Sequence, residues 1–312
     1  MIHYTIVGPG RLARPRVTVP EIKPLGVGSM EIRLWGTRGS IPSPGPLTLE
    51  YGGNTCCVEV KLASGHRVVI DGGTGIRLLG EEIKRTGGPL SLHLLLTHNH
   101  WDHLLGLPFF APIYWNDTEI LVDGWPQAFQ ALTRIFDDNM GNGFFPVAFD
   151  ELQARITFIN RVARGPLHLE GVTIDSIPLN HPQGGLGFRF RDSQATMVFI
   201  TDNELGEDGG HRFQDFVNFA RGCDLLIHDA QYLPEELAEH REWGHSTYAE
   251  VVELALAAEV KSLLLTHHDP SRSDAQVREI VERARKLAAS RGNHPPTIDG
   301  AREGATYRLP AP

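Results

Sequence analysis

Cysteine is scarce in this sequence: Cys56, Cys57 and Cys223 are the only three in 312 residues. Three cannot build a disulfide framework, so the fold must be held by its core. Long apolar runs are missing as well, as is a charged-then-apolar leader at the N-terminus. Neither a membrane span nor a signal peptide is therefore expected, and a reducing cytoplasm is the expected location. Basic residues are outnumbered, 29 Lys and Arg against 38 Asp and Glu, for a net charge of −9. That balance removes the broad attraction a large nucleic acid relies on, while a small anion held by metal ions is not penalised. The glycine loops "GTRGS" and "DGGTG" lack the spacing of phosphate or dinucleotide loops. No low-complexity segment or short repeat is visible.

What remains is a globular composition, 41% hydrophobic and 21% charged, on a chain long enough for a sizeable core. Residues 1–29 stand apart: "GPGRLARPRV" and "PEIKPLGVGS" are rich in Pro, Gly and Arg without periodicity. They read as an extended or disordered extension, with Met30 as an alternative start. Residues 30–312 then alternate short β-like runs with helical patterns. "EIRLWG", "CCVEVKL", "HRVVIDGG" and "LSLHLLLTH" read as strands, and 75–85 as a helix. A helix at 126–138 follows, with strands near 155–160, 172–178, 186–191 and 195–201. "CDLLIHDAQ" and "VKSLLLTHHD" repeat the design of an apolar strand with a polar tip. "TYAE" at 247–250 and "SDAQ" at 273–276 are capping boxes, each followed by apolar residues at helical spacing. Mixed elements in two similar halves predict a layered α/β fold with sheets inside and helices outside.

The chemistry concentrates in "LLLTHNHWDH", residues 94–103. His98, His100, Asp102 and His103 fall within six positions after a buried strand. Imidazole nitrogens and carboxylate oxygens are the donors of catalytic zinc and similar metals, and ligands bunched in one loop need remote partners. His181, Asp202 and His267 qualify, since each tips an apolar run. For the other histidines, including His228 and His268, surface or structural roles suffice, although His268 competes with His267 for the last ligand position.

With these residues in place, the sequence resembles the metallo-β-lactamase superfamily over nearly all of residues 30–290. Asp71 in "VIDGGTG" matches the first motif, "THNHWDH" the second, and His181, Asp202 and His267 the third to fifth. The resemblance implies a four-layer αβ/βα sandwich with a binuclear centre at one edge. His98, His100 and His181 would hold one ion, and Asp102, His103 and His267 the other, with Asp202 bridging. Asp102 also counts among the catalytic groups, and Asp71 would orient ligands from behind. Two divalent ions are implied, zinc first, with manganese or iron as alternatives.

Details narrow the branch. His100 stands where the oxygen-reducing relatives carry Glu, and Asp202 is absent from true β-lactamases of this fold. Glyoxalase-type thioesterases add a C-terminal helical region, whereas only 45 residues follow His267 here, expected to be mostly one helix. "IHDAQY" at 227–232 and "WGHSTYAE" at 243–250 resemble motifs of tRNase Z and related small phosphodiesterases. Carried over, His245 is a general acid and Asp229 its partner, with Asp where that family has Glu. The tRNA-gripping arm of tRNase Z has no counterpart, because only 20 residues separate His181 from Asp202. "LWGTRGSIPSPGP" and "YGGNT" resemble the small-substrate phosphodiesterase-like branch.

The expected activity is hydrolysis of a small cyclic or nucleotide-type phosphodiester by a metal-bridging hydroxide, with His245 protonating the leaving group. A carboxyl ester, lactone or amide hydrolase, a tRNase Z-type endoribonuclease and a non-catalytic nucleotide sensor are the competing readings. Trp101, Arg38 and Asn54 are candidates for touching substrate, and Trp101 with Phe109, Phe110, Phe144 and Phe145 for an apolar wall that stacks on a base, although core packing accounts for most of them. Relatives often form homodimers.

Overall fold

Near-continuous apolar strands imply sheets covered on both faces, and the structure has two of them. The computed structural model describes residues 29–141, 143, 145–206, 212–292 and 294–310. The extension expected at 1–29 therefore lies, but for residue 29, outside the described residues. The first half contains β1 (Met30–Gly36), β2 (Cys57–Lys61), β3 (Arg67–Ile70), α1 (Ile76–Thr86), β4 (Leu90–Leu96), α2 (Trp101–Leu104), β5 (Thr118–Gly124), α3 (Pro126–Asn139) and β6 (Arg155–Phe158). The second half contains β7 (Leu167–Leu169), β8 (Val172–Pro178), β9 (Leu186–Arg191), β10 (Thr196–Ile200), α4 (Phe213–Ala220), β11 (Leu225–Asp229) and α5 (Tyr248–Ala257). It ends with β12 (Ser262–Thr266), α6 (Asp274–Arg291), β13 (Thr297–Gly300) and β14 (Thr306–Leu309).

The sheets run β14-β1-β2-β3-β4-β5-β6 and β13-β12-β11-β10-β9-β8-β7. Side chains alternate between layers with the period of two that a strand enforces. Met197 and Phe199 of β10 enter the core between the sheets, beside Ile32, Val60, Phe188 and Ile227. Val198 and Ile200 of the same strand pack outward with residues of α4, α5 and α6. On the other sheet, Leu92, Leu94 and Leu96 of β4 face α1 and α3 through Leu79, Ile83 and Leu132. The result is the four-layer αβ/βα sandwich.

Both capping boxes form. Thr247 and Ser273 accept hydrogen bonds from the amides of Glu250 and Gln276, whose side chains reach back to the cap amides. Helix α1 stops where Gly87 adopts φ 71°, a conformation glycine enters without Cβ strain.

One expectation needs correcting. The tail after His267 is not mostly one helix, because β13 and β14 follow α6 and form the outer edge of one sheet each. Strand β14 pairs antiparallel with β1, which returns the chain's end to its first sheet. Strands β5 and β7 and helix α4 are also additions to the sequence-based reading.

The functionally decisive feature is strand direction. Strands β3 to β6 run parallel, as do β10 to β13. Parallel strands deliver their C-terminal loops to one edge, where open α/β sheets place ligand sites.

Candidate metal centre and active site

Asp71, the 98–103 segment, Asp202, Asp229 and His267 all sit at or just beyond the C-terminal ends of parallel strands. Three of them bend sharply there: Asp71, Asp202 and His267 hold φ values of 61°, 49° and 56°. Non-glycine residues in that region cost on the order of 1–3 kcal/mol each and persist where surroundings over-determine them. The turns swing the side chains off the strand line and toward one another.

Two donor groups result. His98, His100, His181 and Asp202 form one, and Asp102, His103, Asp202 and His267 the other, with the donor atoms of each within 4.8 Å of one another. Asp202 belongs to both. Its Oδ2 lies 3.6 Å from His98 Nε2, while Oδ1 lies 3.4 Å from His103 Nε2 and 3.2 Å from His267 Nδ1. His181 Nε2 and His100 Nδ1 are 3.1 Å apart. The structure thus brings together all seven residues anticipated as ligands.

The fit to a cation can be judged from the polar atoms left over. Nε2 of His98, His103 and His267 are buried without a hydrogen-bond partner. Buried polar nitrogens are normally paired, so three orphans converging beside two carboxylates suit a metal. Burial pushes the His98 and His267 imidazoles below their ordinary range, and His181 down to about 4, so their lone pairs stay available. Burial alone would raise the Asp202 carboxyl, but His267, His103 and His98 hold it well below the usual range. Around His103 burial is overcome by Asp102, Asp202 and Asp71, which push it well above its ordinary value. Three carboxylates so placed favour positive charge, whether from protons or from a cation.

A supporting layer fixes the donors. Asp71 Oδ2 lies 2.7 Å from His103 Nδ1, and Thr97 donates to Asp71 through both its amide and its hydroxyl at 2.8 Å. Such carboxylate–histidine pairs set tautomer and ring orientation. His181 Nδ1 is 3.3 Å from the Gly244 carbonyl oxygen, His100 Nε2 is 2.5 Å from Gln183 Oε1, and the Ser40 amide donates to Asp102 at 3.0 Å. These roles of Ser40, Gln183 and Gly244 were not anticipated: Ser40 and Gly244 lie in motifs already noted, but a motif does not show which ligand its backbone holds, and Gln183 looks like any loop residue. Gly39 also has a reason: a Cβ there would come within 2.4 Å of the His267 ring. His268 belongs to neither donor group: its Nε2 faces the Ala301 carbonyl oxygen at 2.8 Å, and burial pushes it down to about 3.

His245 stands over this centre. Its ring lies nearly parallel to that of His267, and its Nδ1 is 3.2 Å from Asp229 Oδ2. The shorter side chain of Asp229 therefore still reaches. Asp229 also accepts from the amides of Ser246 at 3.2 Å and Asn203 at 3.4 Å, which ties it to the Asp202 loop. A cavity of about 500 Å³ opens above, lined by His100, Trp101, Asp102, Asp202, His245 and His267 among others.

Not every candidate arrives. Arg38 is fully buried, and its guanidinium donates to the carbonyl oxygens of Gly52, Asp269 and Arg272, where it holds loops together. Asn54 donates through Nδ2 to Glu303 at 2.8 Å. Both are corrected from substrate contacts to loop braces. Trp101 does line the cavity. Among the described residues the phenylalanines do not line it: Phe110 is core, Phe109 packs edge-on against Phe145, and Phe144 lies outside the described residues.

Fold and site together define a hydrolase of the metallo-β-lactamase fold whose His and Asp clusters suit metal binding. The chain belongs to the β-lactamase superfamily, whose domain model matches residues 66–268. Its similarity extends to the ribonuclease Z of Bradyrhizobium diazoefficiens, 25% identical over 304 residues, with 82% of this chain and 94% of that one covered. Among solved structures, the metallo-β-lactamase fold protein YhfI from Bacillus subtilis superposes with a TM-score of 0.64 at 18% identity, covering 90% of this chain and 99% of that one. A diphosphatase of the PhnP family gives 0.63 at 19% identity, covering 89% and 97%. Among the described residues, no helix is long and apolar enough to cross a membrane.

Proposed function

We propose that this chain is a binuclear metal-dependent phosphodiesterase acting on a small cyclic or nucleotide-type diester. The observation that carries the reading is that two donor sets share Asp202 beneath a cavity that also receives the His245–Asp229 pair. His98, His100, His181 and Asp202 would hold one cation, and Asp102, His103, His267 and Asp202 the other. The nitrogen-and-oxygen donor mix suits zinc first, then manganese or iron. When bound, two such ions supply positive charge to a phosphoryl oxygen and lower the pKa of water toward neutrality.

The chain's own residues do the rest. Asp71 and Thr97 lock His103, and the Gly244 carbonyl orients His181. Asp229 engages Nδ1 of His245, leaving Nε2 to hand a proton to a leaving alkoxide. An alkoxide of high pKa needs that proton, whereas a nitrophenolate does not.

Ribonuclease Z-type cleavage is the second reading, favoured by relatives that match almost end to end. Against it stand the net charge of −9 and the short hairpin of β9 and β10 between His181 and Asp202.

A substrate panel on protein of measured metal content decides. It contains bis-nitrophenyl phosphate, cyclic nucleotides, a tRNA precursor, a lactone and nitrocefin. Turnover of the small diesters is expected, with His245→Ala slowing the cyclic nucleotides by about 10²–10⁴-fold and the nitrophenyl diester far less. Preference for the tRNA precursor, or for the lactone or nitrocefin, would overturn the assignment. Equal losses on both diesters would remove His245 as the acid.

A further inference from the structure

Two indoles flank the cavity, and the hydrolytic machinery does not account for them. Trp101 is 65% exposed and Trp243 59% exposed, yet both line the cavity whose floor is Asp102, Asp202, His245 and His267. They come from opposite halves of the molecule: Trp101 opens α2 after the first-half strand β4, and Trp243 precedes α5 in the second half. The Trp243 segment is braced. Glu242 and Gly244 hold φ values of 67° and 82°, and their amides both donate to the Glu204 carboxylate, at 2.9 and 3.2 Å. Glu204 lies two residues beyond Asp202, so the centre and the indole are referenced to one loop. On its inner side Trp243 meets His240 edge-on at 5.0 Å, and His240 stacks on Tyr232 at 4.3 Å.

We propose that Trp101 and Trp243 form a base-stacking clamp, so that the substrate is a nucleobase-bearing phosphodiester. This rests on reading the site as a phosphodiesterase. A ligand whose phosphate reaches the donor cluster occupies a cavity that both indoles line. Flat π faces on such a rim match a base, whose stacking on aromatic side chains is strong and tolerant of sequence. The cavity falls in the size range of small-molecule sites, roughly 300–1,000 Å³. Glu242 on the same rim repels further negative charge. That narrows the class to one base and one diester, cyclic or with a small alcohol, rather than a polyphosphate.

Two measurements on the metal-loaded full chain test the clamp. The first is the ratio of kcat/KM for thymidine 5′-nitrophenyl phosphate to that for methyl nitrophenyl phosphate. Trp243→Ala and Trp101→Ala should each reduce the ratio about tenfold, mainly through KM, and the Phe variants should restore most of it. The second is quenching of tryptophan fluorescence by uridine, with ribose as control. Quenching by uridine alone, lost in both Ala variants, supports the clamp. An unchanged ratio, or equal responses to uridine and ribose, would overturn it. If wild type hydrolyses neither diester, the phosphodiesterase reading fails, while the uridine titration still decides the stacking.

Discussion

The imidazoles of His245 and His267 lie 4.9 Å apart, centroid to centroid, with 23° between their planes. A residue assigned to proton transfer is thereby stacked on one assigned to the metal. Because Asp229 engages His245 at 3.2 Å and takes the amides of Ser246 and Asn203, the stack is fixed from behind.

Asp229→Asn keeps the size of that side chain and removes its charge. Orienting partners of this type are worth about 10–100-fold in activity, so cyclic-nucleotide turnover should drop by that amount. In the double variant with His245→Ala the losses should not multiply, since both residues act as one unit. Steady-state kinetics on the four proteins checks this.

Asp202 is the residue common to both donor sets, whereas His181 and His267 each serve one. Elemental analysis should find His181→Ala and His267→Ala each short of one ion. Asp202→Ala should lose most of both, with activity falling by at least about a hundredfold. Retention of two ions by Asp202→Ala would contradict the shared arrangement.

Gly244→Ala makes a steric prediction. Gly244 sits at φ 82°, and a Cβ there would lie 2.0 Å from His181 Nδ1. The clash falls on a ring edge in the site rather than on the core. Far-ultraviolet circular dichroism should therefore stay native while affinity for the ion bound by His181 falls by about tenfold or more.

The pair His66–His93, 2.8 Å between Nε2 and Nδ1, gives a pH dependence away from the site. Burial, then His66 and Arg161, push His93 down to about 4 from an ordinary 6.5. The folded state therefore resists a proton that the unfolded chain accepts. The stability this gives is complete above pH 6.5 and is lost as pH falls toward 4, by about 3 kcal/mol at most. Urea midpoints at pH 7 and pH 4.5 should show that drop in wild type and a smaller one in His93→Leu.

Most of the donor set was legible because its signals are local. Four ligand-type residues in positions 98–103 stand out against any background, Asp202 and His267 tip continuous apolar runs, and His181 follows the alternating strand β8. The capping boxes at Thr247 and Ser273 were equally plain, since each motif forms its own hydrogen bonds within one turn. Strands β13 and β14 were not, because four-residue edge strands carry too few apolar positions to show a period. Arg38 and Asn54 misled for a related reason: a polar residue in a glycine-rich loop looks the same whether it faces a ligand or braces a neighbouring loop. The carbonyls of Gly52, Asp269 and Arg272 decided that for Arg38.

The sequence alone determined which atoms are available for the chemistry and that strands would carry them, since residue type and period-two alternation are properties of the chain. Only the tertiary structure decided that those atoms meet. Two parallel strand sets had to deliver their ends to one edge, and Asp71, Asp202 and His267 had to turn through left-handed conformations. Neither is encoded at any single position. Backbone strain of that kind persists where the surrounding structure over-determines it.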